Sequence, residues 1–224
     1  MIMRGLTTLL SLVALLFTTT VTPANTAPKR EKITSVITYT AIDKIDLPNN
    51  SSFDCKISSH KFDKESGEGT ITFKGELRSM GTEAFINCTT LTSITLPKGV
   101  TTIGQSTFAG CASLEKITWS EELTTIADSA FAGCHTLSEV NIGKSVTTIG
   151  NSAFAGCSSL RSITLPNNVK SIGSSAFASC SSLTRIIIPE GITTIREQTF
   201  SLCENLNSIT LAKSITEIGD KAFY

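Results

Sequence analysis

Phe85, Phe108, Phe131, Phe154, Phe177, Phe200 and Phe223 follow one another at steps of 23 residues. A strict period of this kind constrains the fold more than any other feature of the chain. One unit of that length cannot bury its own apolar stripe and must stack on copies of itself. Cys88, Cys111, Cys134, Cys157, Cys180 and Cys203 keep the step, three residues after each of the first six phenylalanines. Leu91, Leu114, Leu137, Leu160, Leu183 and Leu206 come next, then an Ile or Val from Ile94 to Ile209, then a large apolar residue from Leu96 to Leu211. A second apolar pair, Val100/Ile103 in the first unit and Ile215/Ile218 in the sixth, closes each repeat. The unit reads Ala-Phe-x-x-Cys-x-x-Leu-x-x-Ile-x-Leu-Pro-x-x-Val-x-x-Ile-Gly, too short for helix-pair repeats of about 33 residues or more.

The Leu-x-x-Ile-x-Leu block alternates at its end as a strand does, which points Ile94 and Leu96 inward and Ser93 and Thr95 outward. Pro97, Pro166 and Pro189 end the strand, because proline donates nothing to a continuing ladder. The small residues before each Phe, as in Ser152-Ala153-Phe154, predict a short helical turn on the opposite side. Gly104, Gly150, Gly173 and Gly219 are expected to supply permissive backbone for the bend into it. The expected fold class is therefore a repeat solenoid: leucine-rich repeat coils of 23 residues, each with short β-strands and a short helical turn, behind an N-terminal cap. Six coils at about 4.8 Å each span roughly 30 Å.

Both ends of the array differ from its middle. Residues 1–24 have the form of a secretory signal peptide: Arg4, an apolar stretch from Leu6 to Phe17, and small residues up to a cut after Ala24. The stretch is shorter than the ~20 residues of a membrane-spanning helix, so no membrane insertion is expected after cleavage. Residues 25–68 hold charge runs such as Lys29-Arg30-Glu31-Lys32 and are assigned to a cap, with Ile33 to Tyr39 as one of its strands. Residues 69–224 form the solenoid, opening on a half repeat in which Ile71, Phe73, Leu77, Met80 and Gly81 match Ile94, Leu96, Val100, Ile103 and Gly104. At Phe223-Tyr224 the coil carrying Ile209 and Leu211 is left with an open face, consistent with a fragment of a longer protein or with end-to-end self-association through an uncapped coil.

With 19 basic and 19 acidic side chains the formal net charge is zero, which supplies no field for nucleic acid. The cysteine column does not have zinc-ligand spacing, and parallel inward side chains do not favour disulfide torsions. A ladder of small buried apolar thiols is the reading preferred here, with Cys55 left between cap core and free thiol. His135 occupies a slot filled elsewhere by Thr89, Ala112, Ser158, Ser181 and Glu204, and His60 sits in the charged cap; neither has an evident catalytic partner. Trp119 replaces an inward Leu and is expected to be oversized core. No cofactor motif is present. Asn49-Asn50-Ser51, Asn50-Ser51-Ser52 and Asn87-Cys88-Thr89 are glycan acceptors only in a eukaryotic host.

The outward strand columns read Ser93, Lys116, Glu139, Ser162, Arg185, Ser208 and Thr95, Thr118, Asn141, Thr164, Ile187, Thr210. Most positions are small hydroxyls, so the departures Lys116, Glu139, Asn141, Arg185 and Ile187 form the candidate binding face. The threonine pairs from Thr101-Thr102 to Thr193-Thr194 are a matter of β-propensity.

The Cys-x-x-Leu start and Val-x-x-Ile-Gly close of each unit resemble the BspA-like, treponemal-type leucine-rich repeat family, from about Gly69 to Tyr224. The general leucine-rich pattern places Asn or Cys after the strand; here Gly99, Glu122, Ser145, Asn168, Gly191 and Ser214 stand there, so a buried Asn ladder is absent. The resemblance implies a secreted or surface-displayed, non-catalytic protein that binds a protein partner through its repeats, plausibly in adhesion. A carbohydrate-binding module and a structural spacer of a longer surface protein are the alternatives, the former weakened by the lack of exposed aromatics for sugar stacking.

Overall fold

The computed structural model describes residues 34–47 and 52–224. The expected signal peptide, residues 25–33 of the expected cap, and Asn49 to Ser51 lie outside the described residues. The rest is a solenoid of coils stacked at the 23-residue step. Four strands begin it: β1 (Val36–Ala41), β2 (Ile57–Asp63), β3 (Glu68–Phe73) and β4 (Ser79–Met80). The coils then alternate a longer and a shorter strand. The longer ones are β5 (Leu91–Thr95), β7 (Lys116–Thr118), β9 (Glu139–Asn141), β11 (Ser162–Thr164), β13 (Arg185–Ile187) and β15 (Ser208–Thr210). Between them run β6 (Thr102–Ile103), β8 (Thr125–Ile126), β10 (Thr148–Ile149), β12 (Ser171–Ile172), β14 (Thr194–Ile195) and β16 (Glu217–Ile218).

Pairing within each array is parallel and in repeat register, for example Ile94 opposite Ile117 and Ile163 opposite Val140. Burial alternates as the sequence period requires: in β9, Val140 is buried between exposed Glu139 and Asn141. The half repeat divides between two sheets. Met80 on β4 lies beside Ile103 on β6, whereas Ile71 and Phe73 on β3 are one strand removed from β5. β1 sits between them, antiparallel to both, so β2, β3 and β1 form an antiparallel cap sheet joined edge-on to the first coil.

The third side of each coil is an arc centred on the Phe, and it is not helical. Two residues per arc have left-handed backbone: Ser106, Ser129, Ser152 and Ser175 at φ 52 to 57°, and Gly110, Gly133 and Gly156 at φ 72 to 74°. A right-handed helix needs φ near −60°, so these positions break it. They turn alternate N–H groups toward the next coil: Ser129 donates to Asn151, Phe131 to Ala153 and Gly133 to Ala155, all at 2.8 Å. The arc is thus a third inter-coil ladder, and the expected helical turn is replaced by it. The glycines after the second apolar pair serve a different purpose from the one expected. A Cβ on Gly150 would lie 2.5 Å from the Asp128 backbone nitrogen, so the residue is small because the coil below is close.

Phe85, Phe108, Phe131, Phe154, Phe177 and Phe200 are essentially fully buried and stack with centroids 5.2 to 5.6 Å apart and planes within 13° of parallel. Burial of one such side chain is worth about 1.5–3 kcal/mol, so this column is the spine of the core. Phe53 closes its first end, edge-on to Phe85 at 6.0 Å.

Candidate binding face

The cysteines, which tempt one toward chemistry, are explained by the arc. From the second coil on, each thiol donates to the Phe carbonyl of the preceding coil: Cys111 to Phe85 at 3.0 Å, Cys134 to Phe108, Cys157 to Phe131 and Cys180 to Phe154 at 3.2 Å, and Cys203 to Phe177 at 3.1 Å. All seven cysteines are free. Burial raises the Cys88 and Cys203 thiols to about 11 and Cys134 to about 12, and pushes Cys111, Cys157 and Cys180 up as well. A thiol held protonated is a poor nucleophile and a poor metal ligand. Cys55 is half-buried against the core and unpaired, its thiol pushed up by burial and by neighbouring Asp54. Among the described residues no group of three or more His, Cys, Asp and Glu side chains is placed to hold a metal ion.

His135 is exposed and its Nδ1 donates to the Gly156 carbonyl at 3.0 Å, a link between coils. His60 accompanies the buried Tyr39 hydroxyl at 2.7 Å, linking β2 to β1. Burial, with Lys44 nearby, lowers the His60 pKa, and burial with Cys88 nearby raises that of Tyr39 to about 12.

All five candidate face residues are exposed on the longer strands. Ser162 on β11 pairs with Glu139 on one side and Arg185 on the other, so β9, β11 and β13 carry four of them on one continuous sheet. Lys116 is set apart, because β7 pairs with β5 and not with β9. Trp119 stands at this split. In the equivalent places Leu96 N–H donates to Thr118 at 2.8 Å and Ile188 N–H to Thr210 at 2.9 Å. At Trp119 the acceptor, the Asn141 carbonyl, is taken at 2.9 Å by the indole Nε1–H instead. Trp119 is half-buried and packs against the core, its ring edge-on to Phe131 at 6.0 Å, so it is a core side chain too large to be wholly enclosed. Its indole carries a donor that must be satisfied, which an inward Leu does not.

Depressions flank β11. One, of about 360 Å3, is lined by Ser162, Thr164, Arg185 and Ile187 among others. The other, of about 460 Å3, is bounded by Asn141, Lys144, Asn167 and Asn168. Lys144, Asn167 and Asn168 lie outside the strand columns, and their only sequence signal is variation at the positions of Lys98 and Gly99. In the last coil Ile209, Leu211 and Ile218 are 37, 42 and 53% exposed.

The model of the BspA type leucine-rich repeat region matches residues 34–158 and 126–224, with six copies. The chain belongs to that family. The structure resembles a leucine-rich repeat protein of T. pallidum, with 25% identity, TM-score 0.62, 78% of this chain and 86% of that one covered. It also resembles a leucine-rich repeat protein of Eubacterium ventriosum, with 28% identity and TM-score 0.56; the match covers 65% of this chain but only 45% of that one. Comparison with curated protein sequences gives no match.

Proposed function

We propose that this BspA-type protein is secreted or displayed at the cell surface and binds another protein through the outward face of β9, β11 and β13, in an adhesive and not a catalytic role. The observation that carries this reading is the placing of Glu139, Asn141, Arg185 and Ile187 together on one exposed sheet whose other outward positions are Ser and Thr. Solenoid faces of this kind are extended binding surfaces, and specificity resides where side chains depart from the scaffold. The sequence of residues 1–24 supports export.

The test is capture of extracellular matrix proteins and glycans by the mature chain, beside a Glu139→Ser/Arg185→Ser/Ile187→Thr variant. Capture of a protein that the variant abolishes is the expected result. Capture that survives the variant unchanged removes the proposed face. Capture of glycans alone selects the carbohydrate-binding alternative, and no capture on either panel selects the spacer.

A further inference from the structure

The two depressions share Thr164 and Leu165 and so form one trough crossing from β9 over β11 to β13. Its charged lining is Lys144 at one end and Arg185 at the other, while exposed Glu139, across Ser162 from Arg185, stands beside the trough outside that lining. Both cations are exposed, and the ion pairs among the described residues belong to Arg78, with Glu76 and Glu122, so neither trough cation is held in an ion pair. Ile187 is 49% exposed at a position where the adjoining strand has Thr210. Asn141 and Thr164 add exposed amide and hydroxyl groups along the floor. A surface with two cations, one of them beside an exposed aliphatic side chain on β13, is complementary to a segment with the opposite charge and an apolar residue.

We infer that the trough seats an extended, acidic polypeptide segment of the partner protein, with carboxylates toward Arg185 and Lys144 and an apolar side chain against Ile187. This rests on the binding reading above and gives the partner its chemistry. The guanidinium of Arg185 presents a planar fork suited to a carboxylate. Two strand spacings, about 10 Å, separate β9 from β13, and Lys144 lies five residues beyond Glu139, the residue level with Arg185, so the two cations are up to about 19 Å apart, a distance that about six residues of extended chain cover. The aliphatic Ile187 favours a peptide over a sulfated glycan, which would satisfy the cations and leave Ile187 without a partner.

The experiment is selection of a random dodecapeptide display library on the mature chain, followed by fluorescence anisotropy of the enriched peptides. The variants are Arg185→Ser, Ile187→Thr and Lys144→Asn. Each introduces the residue that a neighbouring coil already carries, at Ser208, Thr210 and Asn167, and thermal melts confirm that each folds. Enriched peptides are expected to combine Asp or Glu with an apolar residue. Their affinity falls about tenfold on Arg185→Ser or Ile187→Thr and weakens as NaCl rises from about 50 to about 500 mM. Enrichment of basic or neutral peptides, no enrichment at all, or equal binding by Arg185→Ser overturns the inference. Heparin retention that Arg185→Ser abolishes, without peptide enrichment, assigns the trough to an anionic glycan and overturns it too. If matrix-protein capture depends on the face while no acidic peptide is enriched, the binding reading stands and the acidic segment falls.

Discussion

The arc and the longer-strand side of each coil are both inter-coil ladders, yet they differ in continuity. The arc ladder runs without interruption, with Phe108 donating to Ala130, Phe131 to Ala153 and Phe154 to Ala176, each at 2.8 Å. The longer strands split between β7 and β9, and the shorter strands split between β12 and β14, where Arg196 stands in the Gly slot. What separates them is side-chain uniformity. The arc repeats the same Phe and Cys in every coil, so each coil offers the next an identical surface. The strand faces vary, and the splits fall beside Trp119 and at Arg196 while the stack persists. The arc therefore holds the coils together, which leaves the strand face free to carry a binding surface.

Removing an arc ring should have the largest effect. Phe131→Ala leaves a cavity between two stacked neighbours and is expected to cost about 3–5 kcal/mol in denaturant melts; a loss below about 1 kcal/mol would erase the distinction between arc and face. Next comes the thiol. Cys157→Ala removes one of the two hydrogen bonds to the buried Phe131 carbonyl, which keeps Cys134 N–H at 3.2 Å, at about 0.5–1.5 kcal/mol, and Cys157→Ser should recover most of that, since a hydroxyl donates in the same place. In native protein, iodoacetamide should modify half-buried Cys55 well before buried Cys134 or Cys157.

Hydrogen exchange sharpens the comparison at the split beside Trp119. Glu115 N–H donates to Thr92 at 2.9 Å and Arg161 N–H to Ser138 at 3.0 Å, while Ser138 N–H has no equivalent bond across the split. The Ser138 amide should exchange faster than those of Glu115 and Arg161, and Trp119→Leu should slow it, with a net stability change within about 1 kcal/mol. Equal protection of the three amides would mean that β7 and β9 pair in solution.

A smaller effect is expected in the cap sheet. The folded-state pKa of His60 lies below its ordinary 6.5, so the unfolded chain binds that proton more tightly. The contribution is present above pH 6.5 and is lost as pH falls below it. Thermal melts from about pH 7.5 to about pH 5 should show a decline that His60→Gln reduces; an identical decline in the variant would exclude His60 as its source. Tyr39, raised from 10.0 to about 12, acts at the other edge: its contribution is present below pH 10 and lost as pH rises toward 12. Smallest of all, Arg185→Ser and Ile187→Thr should alter stability by no more than about 0.5 kcal/mol.

Much of this was legible in the residues. Phe, Cys, Leu and Ile at one 23-residue step specify which side chains face inward, and the outward columns follow from strand alternation. The arc was misread as helical because Ser-Ala-Phe has no strong local preference against a helix. Its left-handed residues are held by carbonyls of the next coil, which no local pattern reveals. At Trp119 the slot does not reveal the indole N–H bond, because hydropathy records bulk and the partner is 22 residues away.

The sequence by itself determined the repeat length, the stacking register and the apolar interior, because a one-residue slip would carry every inward side chain to solvent. Only the tertiary structure decided the conformation of the arc, the insertion of β1 between β3 and β5, the splits in the strand ladders and the joining of Lys144 to Arg185 in one trough. Burial follows a short local period that can be counted along the chain. Hydrogen-bond partners and surface depressions arise between segments 20 or more residues apart, where the choice of acceptor depends on which side chain reaches it first.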